Sequence, residues 1–364
     1  MRLSGTLSAY FGRQFLFWVL GTFAAILAVV FLIDLIELLR RGANREAATF
    51  GLMIQLAALK LPNMGQTVFP YAVLFGGMLA FTRMTRSHEL VVARAAGVSV
   101  WQFLLPALLI AILLGIAKVT IINPVASVLT ARYERMENSI LRNRGNLLAV
   151  SSGGLWLRER TKDGHSILHA RGIGQDGVAL SEVTVFLFDD KSAFAGRIDG
   201  RTATLEPGHW AIRDIVHSNR DGIPSAQSFF QLDTSLTIDN IYDSFASPET
   251  MSFWELPKFI AVLEDAGFTA VRHRLYWHSL LASPLMMAAM VLIAATFSLR
   301  PNRRGGVLLW VTAGLFFVFV LQVLSDVVFA LGLSARVPEV LAAWTPASVA
   351  ALLGAASLLH LEDG

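Results

Sequence analysis

The side chains of this sequence with the most evident chemistry are charged residues at the ends of long apolar stretches. One group lies in residues 85–98, where Glu89 and Leu90 stand between Arg86 and Arg94. A carboxylate in a short amphipathic segment offers an ionic contact to another protein, and the alternative is a solvated helix face. We therefore take Glu89, Leu90 and Arg86 as candidate docking residues, while the two arginines also suit topology or lipid headgroups.

Basic residues at the other ends of the apolar stretches form a second group, which could bind an anionic ligand. Arginine matches the oxygens of a phosphate group as a bidentate hydrogen-bond donor. The alternative is local pairing, because Glu37 precedes two of the arginines by three and four residues. One carboxylate is expected to satisfy one arginine well but hardly both, which leaves the second free for an anion. The candidates are Arg40 and Arg41, with Lys60 nearby, and Arg132 and Arg135 form a further basic pair.

Arg132 and Arg135 are three residues apart, so they share one face of a helix that is predicted to continue the third apolar stretch. Glu134 and Glu137 on the same helix favour the alternative of a solvated, salt-bridged surface. Both interpretations stay open at this point.

Two motifs that look like cofactor or metal sites are not predicted to be such sites. Gly172, Gly174 and Gly177 fit G-x-G-x-x-G, but a strand-like run follows where a dinucleotide site needs a helix N-terminus, so we predict a hairpin turn. His165 and His169 would share a helix face, but their surroundings favour a strand and no third ligand is evident. The sequence has no G-x-x-x-x-G-K-[ST] motif, so it offers no P-loop for ATP. We expect no catalytic residue, cofactor or metal.

The composition indicates a membrane protein. Hydrophobic residues make up 54% of the 364 residues, and the mean hydropathy is +0.56. A helix needs roughly 20 apolar residues to cross about 30 Å of hydrocarbon. The net charge of +3 argues against a nucleic-acid partner, and the absence of cysteine excludes disulfides and thiol chemistry. Six stretches have the required length: 15–33, 61–82, 98–117, 279–299, 305–325 and 340–359. The second contains Pro62 and Pro70, which membrane helices tolerate when neighbours satisfy the freed carbonyls.

Arginines in the short loops predict the orientation of the spans. With six spans, the arginines before span 1, between spans 2 and 3 and between spans 4 and 5 fall on one side, which we take as cytoplasmic together with both termini. Arg40, Arg41 and Arg45 violate this rule, because they follow span 1 on the outer side. Asp34 and Glu37 stand where a signal-peptide cleavage site would need small residues, so the first span is expected to remain as an anchor.

The chain changes character between spans 3 and 4, where residues 126–250 are polar and contain no membrane-length apolar run. Short runs rich in β-branched and aromatic residues alternate with turn residues, including Asp199-Gly200 and Pro207-Gly208. This rhythm predicts an all-β domain of the sandwich or jelly-roll type on the outer side of the membrane. The predicted strands are 154–158, 166–170, 182–188, 209–216 and 228–236.

An amphipathic helix is predicted between this domain and span 4. Ser252 and Glu255 have capping-box spacing, and apolar residues then recur at helical spacing up to Gly267. The helix either lies on the outer membrane interface or packs on the β domain. The predicted organisation is therefore spans 1–3 in residues 1–125 with a loop at 83–98, the β domain in 126–250, and the helix with spans 4–6 in 251–364.

Span 5 carries two further features with competing interpretations. Asp326 is an ionisable residue within the span, which is a functional hypothesis by default, but its position near the outer end favours solvation. The aromatic run Phe316, Phe317 and Phe319 could line a cavity for acyl chains, and the alternative is helix packing or contact with lipid.

Several of these motifs resemble the LptF/LptG family of lipopolysaccharide-export permeases. Residues 86–99 are similar to that family's loop between spans 2 and 3, and residues 282–285, 297–300 and 303–306 are similar to its fourth span and the exit from it. Three spans, a β domain and three further spans are that family's plan, so the resemblance covers essentially the whole chain. The loop and the C-terminal residues 361–364 are closer to the LptG branch.

This resemblance implies an α-helical membrane protein with six transmembrane helices (3+3), an inserted all-β domain of the periplasmic β-jellyroll type, and no enzymatic activity of its own. It implies an LptF-like partner permease and a cytoplasmic LptB-type ATPase dimer, which extract lipopolysaccharide from the inner membrane and pass it to periplasmic LptC/LptA-type bridge proteins. The loop becomes a coupling helix in which Glu89 pairs with an arginine of the ATPase. The resemblance also implies that Arg132 and Arg135 lie at the mouth of the cavity, where they, together with Arg40, Arg41 and Lys60, would meet the phosphates of lipid A.

Two rival functions are compatible with the sequence. One is export of another lipid or of a lipoprotein, and the other is a membrane-anchored scaffold whose outer domain binds a ligand without moving it. Six spans and a loop suited to a separate motor protein favour transport.

Overall fold

The computed structural model describes two compact units of the chain. One comprises the described parts of Met1–Arg142, Glu249–Trp254 and Arg274–Gly364, and the other those of Asn143–Pro248 and Glu255–His273. The described residues are 5–43, 49–89, 99–137, 148–151, 154–161, 164–173, 179–189, 193–219, 224–234, 247–265, 269–298 and 307–363, together with Val92, Ala95 and Gly97.

Six helical segments in the described residues are long and apolar enough to cross a membrane, which confirms the predicted number of spans. Span 3 continues as a helix well beyond its apolar part, and span 2 stays helical through Pro62 and Pro70, both as predicted. The helices are α1 Gly5–Gly42, α2 Phe50–Arg86, α3 Val100–Ala117, its continuation α4 Asn123–Glu137, the short α5 Leu256–Asp265, α6 Val271–Ser298, α7 Val307–Leu333 and α8 Glu339–Asp363.

Two glycines allow neighbouring spans to approach closely. A Cβ atom added to Gly76 of α2 would lie 2.6 Å from the Cα of Val19 in α1. A Cβ atom added to Gly115 of α3 would lie 2.5 Å from the Cα of Pro284 in α6. Small residues at such crossings let backbones touch, and this contact is a main source of packing energy between helices in lipid. These two crossings therefore fix span 2 against span 1 and span 3 against span 4.

Span 3 changes its helical pitch between α3 and α4. Residues Lys118–Ile122 form one turn of π-helix, and Asn123 and Pro124 follow it at the start of α4. Proline has no N–H group, so it cannot continue the ladder of α-helical hydrogen bonds. Single π-turns inside α-helices are frequent at functional sites.

The second unit contains seven antiparallel strands in its described residues, and they lie in the sheet in chain order from β1 to β7. The predicted all-β domain is thereby confirmed, and the predicted turn at Pro207-Gly208 joins β5 to β6. The described strands form a meander, without the crossovers of a Greek key. They are β1 Leu148–Ser151, β2 Gly154–Thr161, β3 Gly164–Ile173, β4 Ala179–Phe188, β5 Phe194–Glu206, β6 His209–Asn219 and β7 Pro224–Asp233.

The predicted turn at Asp199-Gly200 is wrong, because both residues lie in the middle of β5, a strand that was not predicted. The Asp199 carboxylate accepts hydrogen bonds from Thr184 Oγ1 and Arg197 Nε, each at 2.9 Å, so it is satisfied within the sheet. A Cβ atom at Gly200 would collide with the side chain of Ile212. Glycine inside a strand often marks such a close approach rather than a turn.

The sheet curls so that its two ends come together. Glu159 in β2 lies beyond the residues that pair with β1, and its Oε2 accepts a hydrogen bond from Thr234 Oγ1, directly after β7, at 2.5 Å. Both residues are buried. Trp210 of β6 is 0% exposed and is the largest completely buried side chain among the described residues. The curled sheet therefore encloses a core of its own.

The two motifs that were not expected to bind a cofactor or a metal lie in the hairpins of this sheet. β3 and β4 pair antiparallel on either side of the G-x-G-x-x-G motif, and residues 174–178 of the predicted turn lie outside the described chain. His165 and His169 lie in β3, as predicted, where they stack on Phe188 and Trp156 with ring centroids 4.7 and 4.2 Å apart.

Helix α5 begins later than the capping-box spacing of Ser252 and Glu255 predicts. Its first residue is Leu256, and the backbone N–H of Phe253, which would lie in the first turn of the predicted helix, instead donates to Asn123 Oδ1 at 2.8 Å. Residues Glu255–His273 belong to the same compact unit as the strands. Whether this helix lies on the membrane interface or packs on the strands stays open between the two predicted interpretations.

The close crossing at Gly76 predicts a specific loss of stability. Gly76→Ala should lower the thermal unfolding midpoint of the detergent-solubilised protein, because overpacking costs about 1–3 kcal/mol. Gly21→Ala is the matched control, since a Cβ there would have no atom within 4 Å. Alanine gains about 1 kcal/mol of helix propensity over glycine, so Gly21→Ala should keep or raise the midpoint. Equal midpoints for the two variants would contradict the proposed crossing.

The buried position of Trp210 predicts that the second unit folds around it. Residues 143–273, expressed alone, should give a β-type circular dichroism spectrum and unfold cooperatively in urea. Trp210→Ala should cost about 3–5 kcal/mol, a large part of the roughly 5–15 kcal/mol available to a domain. Trp156→Ala, at a side chain that is 40% exposed, should cost on the order of 0.5 kcal/mol. A helical or unfolded spectrum of the unsubstituted segment would refute the assignment.

Candidate functional site

The predicted anion-binding residues lie where spans 1, 2 and 3 pack together at one end of the helical unit. Arg40 and Arg41 form the last turn of α1, and Lys60 lies in the first part of α2. An apolar cluster holds these helix ends in place and includes residues of α1, α2 and α4. Its buried members are Leu38, Met53, Leu56, Ala57, Leu59 and Tyr133.

Glu37 binds both arginines of α1, so the prediction that it could hardly satisfy both is wrong. Its carboxylate accepts from Arg40 Nε at 2.8 Å and Arg40 Nη2 at 2.9 Å, and it accepts from Arg41 Nε at 2.7 Å. Residues three and four positions apart meet on one helix face, which places both guanidinium groups beside one acid. The Arg40 and Arg41 side chains are still 76% and 52% exposed, and each keeps unused N–H donors.

Lys60 has a partner that the sequence analysis missed. Its Nζ lies 2.6 Å from Asp34 Oδ1 and 5.7 Å from the centre of the Tyr133 ring. Asp34 is 8% exposed, and its Oδ2 has no hydrogen-bond partner among the described residues. The signal for this pair was available, because an acid that follows an apolar run is the kind of intramembrane charge that marks function.

Arg132 and Arg135 lie on α4 and are exposed, as the predicted helix requires. Arg135 Nε donates to the carbonyl oxygen of Ala131 at 3.1 Å. Glu137 on the same helix is only 10% exposed and lies 3.9 Å from Arg41 Nη1 of α1. The contact between Arg41 and Glu137 brings the ends of spans 1 and 3 together, whereas Arg132 and Arg135 lie on the exposed surface of span 3.

The loop that follows span 2 begins with a sharp turn. Arg86 is exposed in the last turn of α2, and His88 has a φ angle of +59°, in the left-handed region. A hydrogen bond of 3.0 Å from Val92 N to His88 O then starts a new helical turn. Leu90 and Arg94 lie outside the described residues.

Glu89 is the acid at the start of this helical turn. Its Oε1 accepts a hydrogen bond from Ser87 Oγ at 2.8 Å, whereas its Oε2 is shielded from solvent and has no hydrogen-bond partner in the described part of the chain. A carboxylate that uses one oxygen locally retains acceptor capacity for a cation.

The residues that precede the loop are fastened to two other spans. Arg83 stacks over the Trp18 ring of span 1 at 6.0 Å. With the Gln14 amide oriented so that its oxygen faces the donors, it accepts from Arg83 Nη1 at 3.0 Å and from Trp18 Nε1 at 3.1 Å. Thr85 Oγ1 donates to the carbonyl of Ser298 in span 4 at 3.4 Å. A displacement of the loop would therefore act on spans 1, 2 and 4.

Asp326 of span 5 is exposed and forms a hydrogen bond within its own helix, with Gln322 Nε2 at 2.9 Å. Gln322 in turn accepts from the Tyr71 hydroxyl of span 2. In the aromatic run, Phe316 and Phe319 are 68% and 64% exposed and face away from the chain. Phe317 packs against the core of the spans, which fits the interpretation of helix packing. Phe316 and Phe319 remain open to contact with lipid or acyl chains.

Comparison with known proteins gives a consistent assignment. Residues 9–360 match the family described as lipopolysaccharide export system permease LptF/LptG. The lipopolysaccharide export system permease protein LptG of Escherichia coli K12 is 25% identical over 357 residues, which is 96% of this chain and 96% of that protein. LptG of Haemophilus influenzae Rd is 23% identical over 339 residues, 91% of this chain and 92% of that protein. Because the family match covers nearly the whole chain, and the six spans with an inserted β domain agree with it, this chain belongs to the LptF/LptG family of lipopolysaccharide export permeases.

Proposed function

We propose that this permease is the transmembrane subunit of an ABC exporter that extracts lipopolysaccharide from the inner membrane and passes it to a periplasmic bridge. The observation that carries the proposal is the separation of two kinds of site along continuous helices. Glu89 follows one end of α2, whereas Lys60 and the arginines of α1 lie towards its other end. This arrangement suits a protein that receives mechanical work at one end and binds an anionic lipid at the other.

The work must come from another chain, because the sequence has no P-loop. We assign ATP hydrolysis to a cytoplasmic LptB-type ATPase dimer, the second half of the membrane path to an LptF-like permease, and reception of the lipid to LptC/LptA-type bridge proteins. Membership of a lipopolysaccharide export system supports these partners.

The proposed orientation in the inner membrane has both termini and the loop at 83–98 in the cytoplasm and the β domain in the periplasm. Arg13, Arg83 and Arg86 belong to one end of the spans, and positive residues in short loops favour the cytoplasmic side. Arg40 and Arg41 then lie at the level of the outer leaflet headgroups.

At that level, Glu37 acts as a temporary counterion for the two arginines. The three side chains form an exposed ion-pair group, and exposed pairs contribute little net stability. A lipid A phosphate offers more charge and more acceptor oxygens than one carboxylate, so it displaces Glu37 or joins it. Arg132 and Arg135 are placed on the same outer side and extend the basic surface.

Lys60 has a different role from the arginines, because its partner is buried. If Lys60 moved away from Asp34, the buried carboxylate of Asp34 would have no cation beside it, which is strongly unfavourable. Lys60 therefore meets a phosphate while it remains bound to Asp34, using its remaining N–H donors.

Reversal of the two arginines should weaken substrate binding. Arg40→Glu and Arg41→Glu should each reduce photo-crosslinking of lipopolysaccharide to span 1 by about threefold to tenfold, since charged hydrogen bonds at exposed sites are modest. The double reversal should reduce it further while the complex still assembles on a sizing column.

Glu37→Gln is the matched control for that experiment, because it removes the competing charge and leaves both arginines. If the arginines bind phosphate in competition with Glu37, crosslinking should hold or rise in this variant. Unchanged crosslinking in the double reversal would place the substrate entrance elsewhere.

Loss of the Glu89 carboxylate should uncouple ATP hydrolysis from export. We expect Glu89→Ala and Glu89→Gln to lower the lipopolysaccharide moved per ATP in vesicles that contain the reconstituted complex, since both remove the charge offered to the ATPase. Ser87→Ala should export normally, because it removes only the local hydrogen bond to Glu89. If Ser87→Ala and Glu89→Ala are impaired alike while Glu89→Gln is normal, Glu89 merely shapes the turn.

A further inference from the structure

A buried polar group at the π-turn of span 3 joins three spans to the segment that leaves the β domain. Asn123 is 0% exposed. Its Nδ2 donates to Gln66 Oε1 of span 2 and to the Tyr276 hydroxyl of span 4, both at 3.3 Å. Its Oδ1 accepts from the backbone N–H of Phe253 at 2.8 Å. An asparagine side chain has two donor hydrogens and two acceptor positions, so three of the four are used on three different elements.

A second contact nearby depends on the proline that follows Asn123. In an α-helix, the carbonyl of Thr120 would accept from the N–H of residue 124, which is proline and has none. The indole Nε1 of Trp254 lies 3.5 Å from this carbonyl oxygen and points a donor at it. The segment therefore supplies an N–H group to a carbonyl that Pro124 cannot serve.

An aromatic contact adds a third connection. The ring of Phe253 stacks on that of Trp277 in span 4, with centroids 6.0 Å apart and planes 13° apart. Trp254 packs edge-on against Phe253 with centroids 5.1 Å apart. Two consecutive residues thus contact spans 3 and 4 through a backbone N–H, an indole N–H and a stacked ring.

The position of this segment in the chain gives the contacts their meaning. Glu249–Trp254 belongs to the compact unit of the spans, whereas the chain before it and the chain after it, up to His273, belong to the unit that contains the strands. Along the chain, six residues that group with the spans thus stand between two stretches that group with the strands.

We propose that Asn123 is a positioning residue that fastens Glu249–Trp254 to spans 2, 3 and 4, so that rearrangement of these spans is passed to the β domain through this segment. The residue does not contact the substrate. Asn123 acts when the spans move. This movement starts at the loop that contains Glu89 and changes the conformation of the β domain, which receives the lipid. This inference rests on the proposed export function and adds a mechanical link within it.

The first measurement tests the fastening alone and needs no transport activity. Hydrogen–deuterium exchange of the purified full chain in nanodiscs should show exchange of residues 249–254 about threefold to tenfold faster in Asn123→Leu than in the unsubstituted protein, because one backbone hydrogen bond and its support are lost. Peptides from the strands and from the other spans should exchange as before. Ser127→Ala is the matched control, since Ser127 is buried on the same helix and its hydroxyl donates to the carbonyl of Pro124 in that helix.

The second measurement tests the link, by the amount of lipopolysaccharide that reconstituted complexes transfer to a soluble bridge protein per ATP hydrolysed. Asn123→Leu should keep its ATPase activity and lose at least about half of this ratio, and Ser127→Ala should keep it. If Asn123→Leu fails to fold, Trp254→Phe gives the same comparison, since this side chain is 63% exposed and its indole N–H is the group removed.

Each outcome decides the proposal. Faster exchange at 249–254 with a lowered ratio supports it. Unchanged exchange overturns the fastening, and faster exchange with an unchanged ratio overturns the link. If unsubstituted complexes transfer no lipopolysaccharide, the proposed export function fails and the link fails with it, while the exchange result still decides whether Asn123 holds the segment.

Discussion

A polar group inside a bilayer must find its partner within the protein, and much of this structure follows from that constraint. An amide or a charge that lacks a partner costs several kcal/mol in hydrocarbon, which is enough to disrupt the packing of two crossing helices. Asp34 reaches Lys60 across spans 1 and 2, and Asn123 reaches Gln66 and Tyr276 across spans 2, 3 and 4. Each polar partnership therefore fixes the register of spans that apolar contacts alone would allow to slide.

The same constraint separates the stiff parts of the molecule from the adaptable ones. Where Gly76 and Gly115 bring backbones into contact, the spans have little freedom to shift, and the buried polar pairs lie within the same bundle. By contrast, the group around Glu37 is exposed and can exchange partners at low cost. A transporter needs both kinds of region, because force must pass through a rigid part and be released where an incoming anion can compete.

The sequence was sufficient to predict the elements that show one simple pattern of apolar and polar residues. Six apolar stretches became six spans, and the alternation of strands and turns became an antiparallel sheet. Prediction failed where a local rule was overridden by a distant contact. Asp199-Gly200 is a typical turn sequence, but both residues lie in a strand, where Asp199 bonds Thr184 and Gly200 lies directly against Ile212. The capping-box spacing of Ser252 gave way because the N–H of Phe253 is used by Asn123. The acid Asp34 after an apolar run was a visible signal, but the sequence does not indicate its partner, which lies 26 residues away in the next span.

The way the β domain closes has a consequence for what it can hold. Among the described strands, no backbone ladder joins β2 to β7; the ends of the sheet are connected by the side-chain bond between Glu159 and Thr234. A ladder would have to be broken along several residues, whereas one hydrogen bond to a carboxylate contributes only about 1.5–3 kcal/mol. Separation of the two ends of the sheet at Glu159 and Thr234 would therefore break side-chain contacts and leave the strand pairings from β1 to β7 intact.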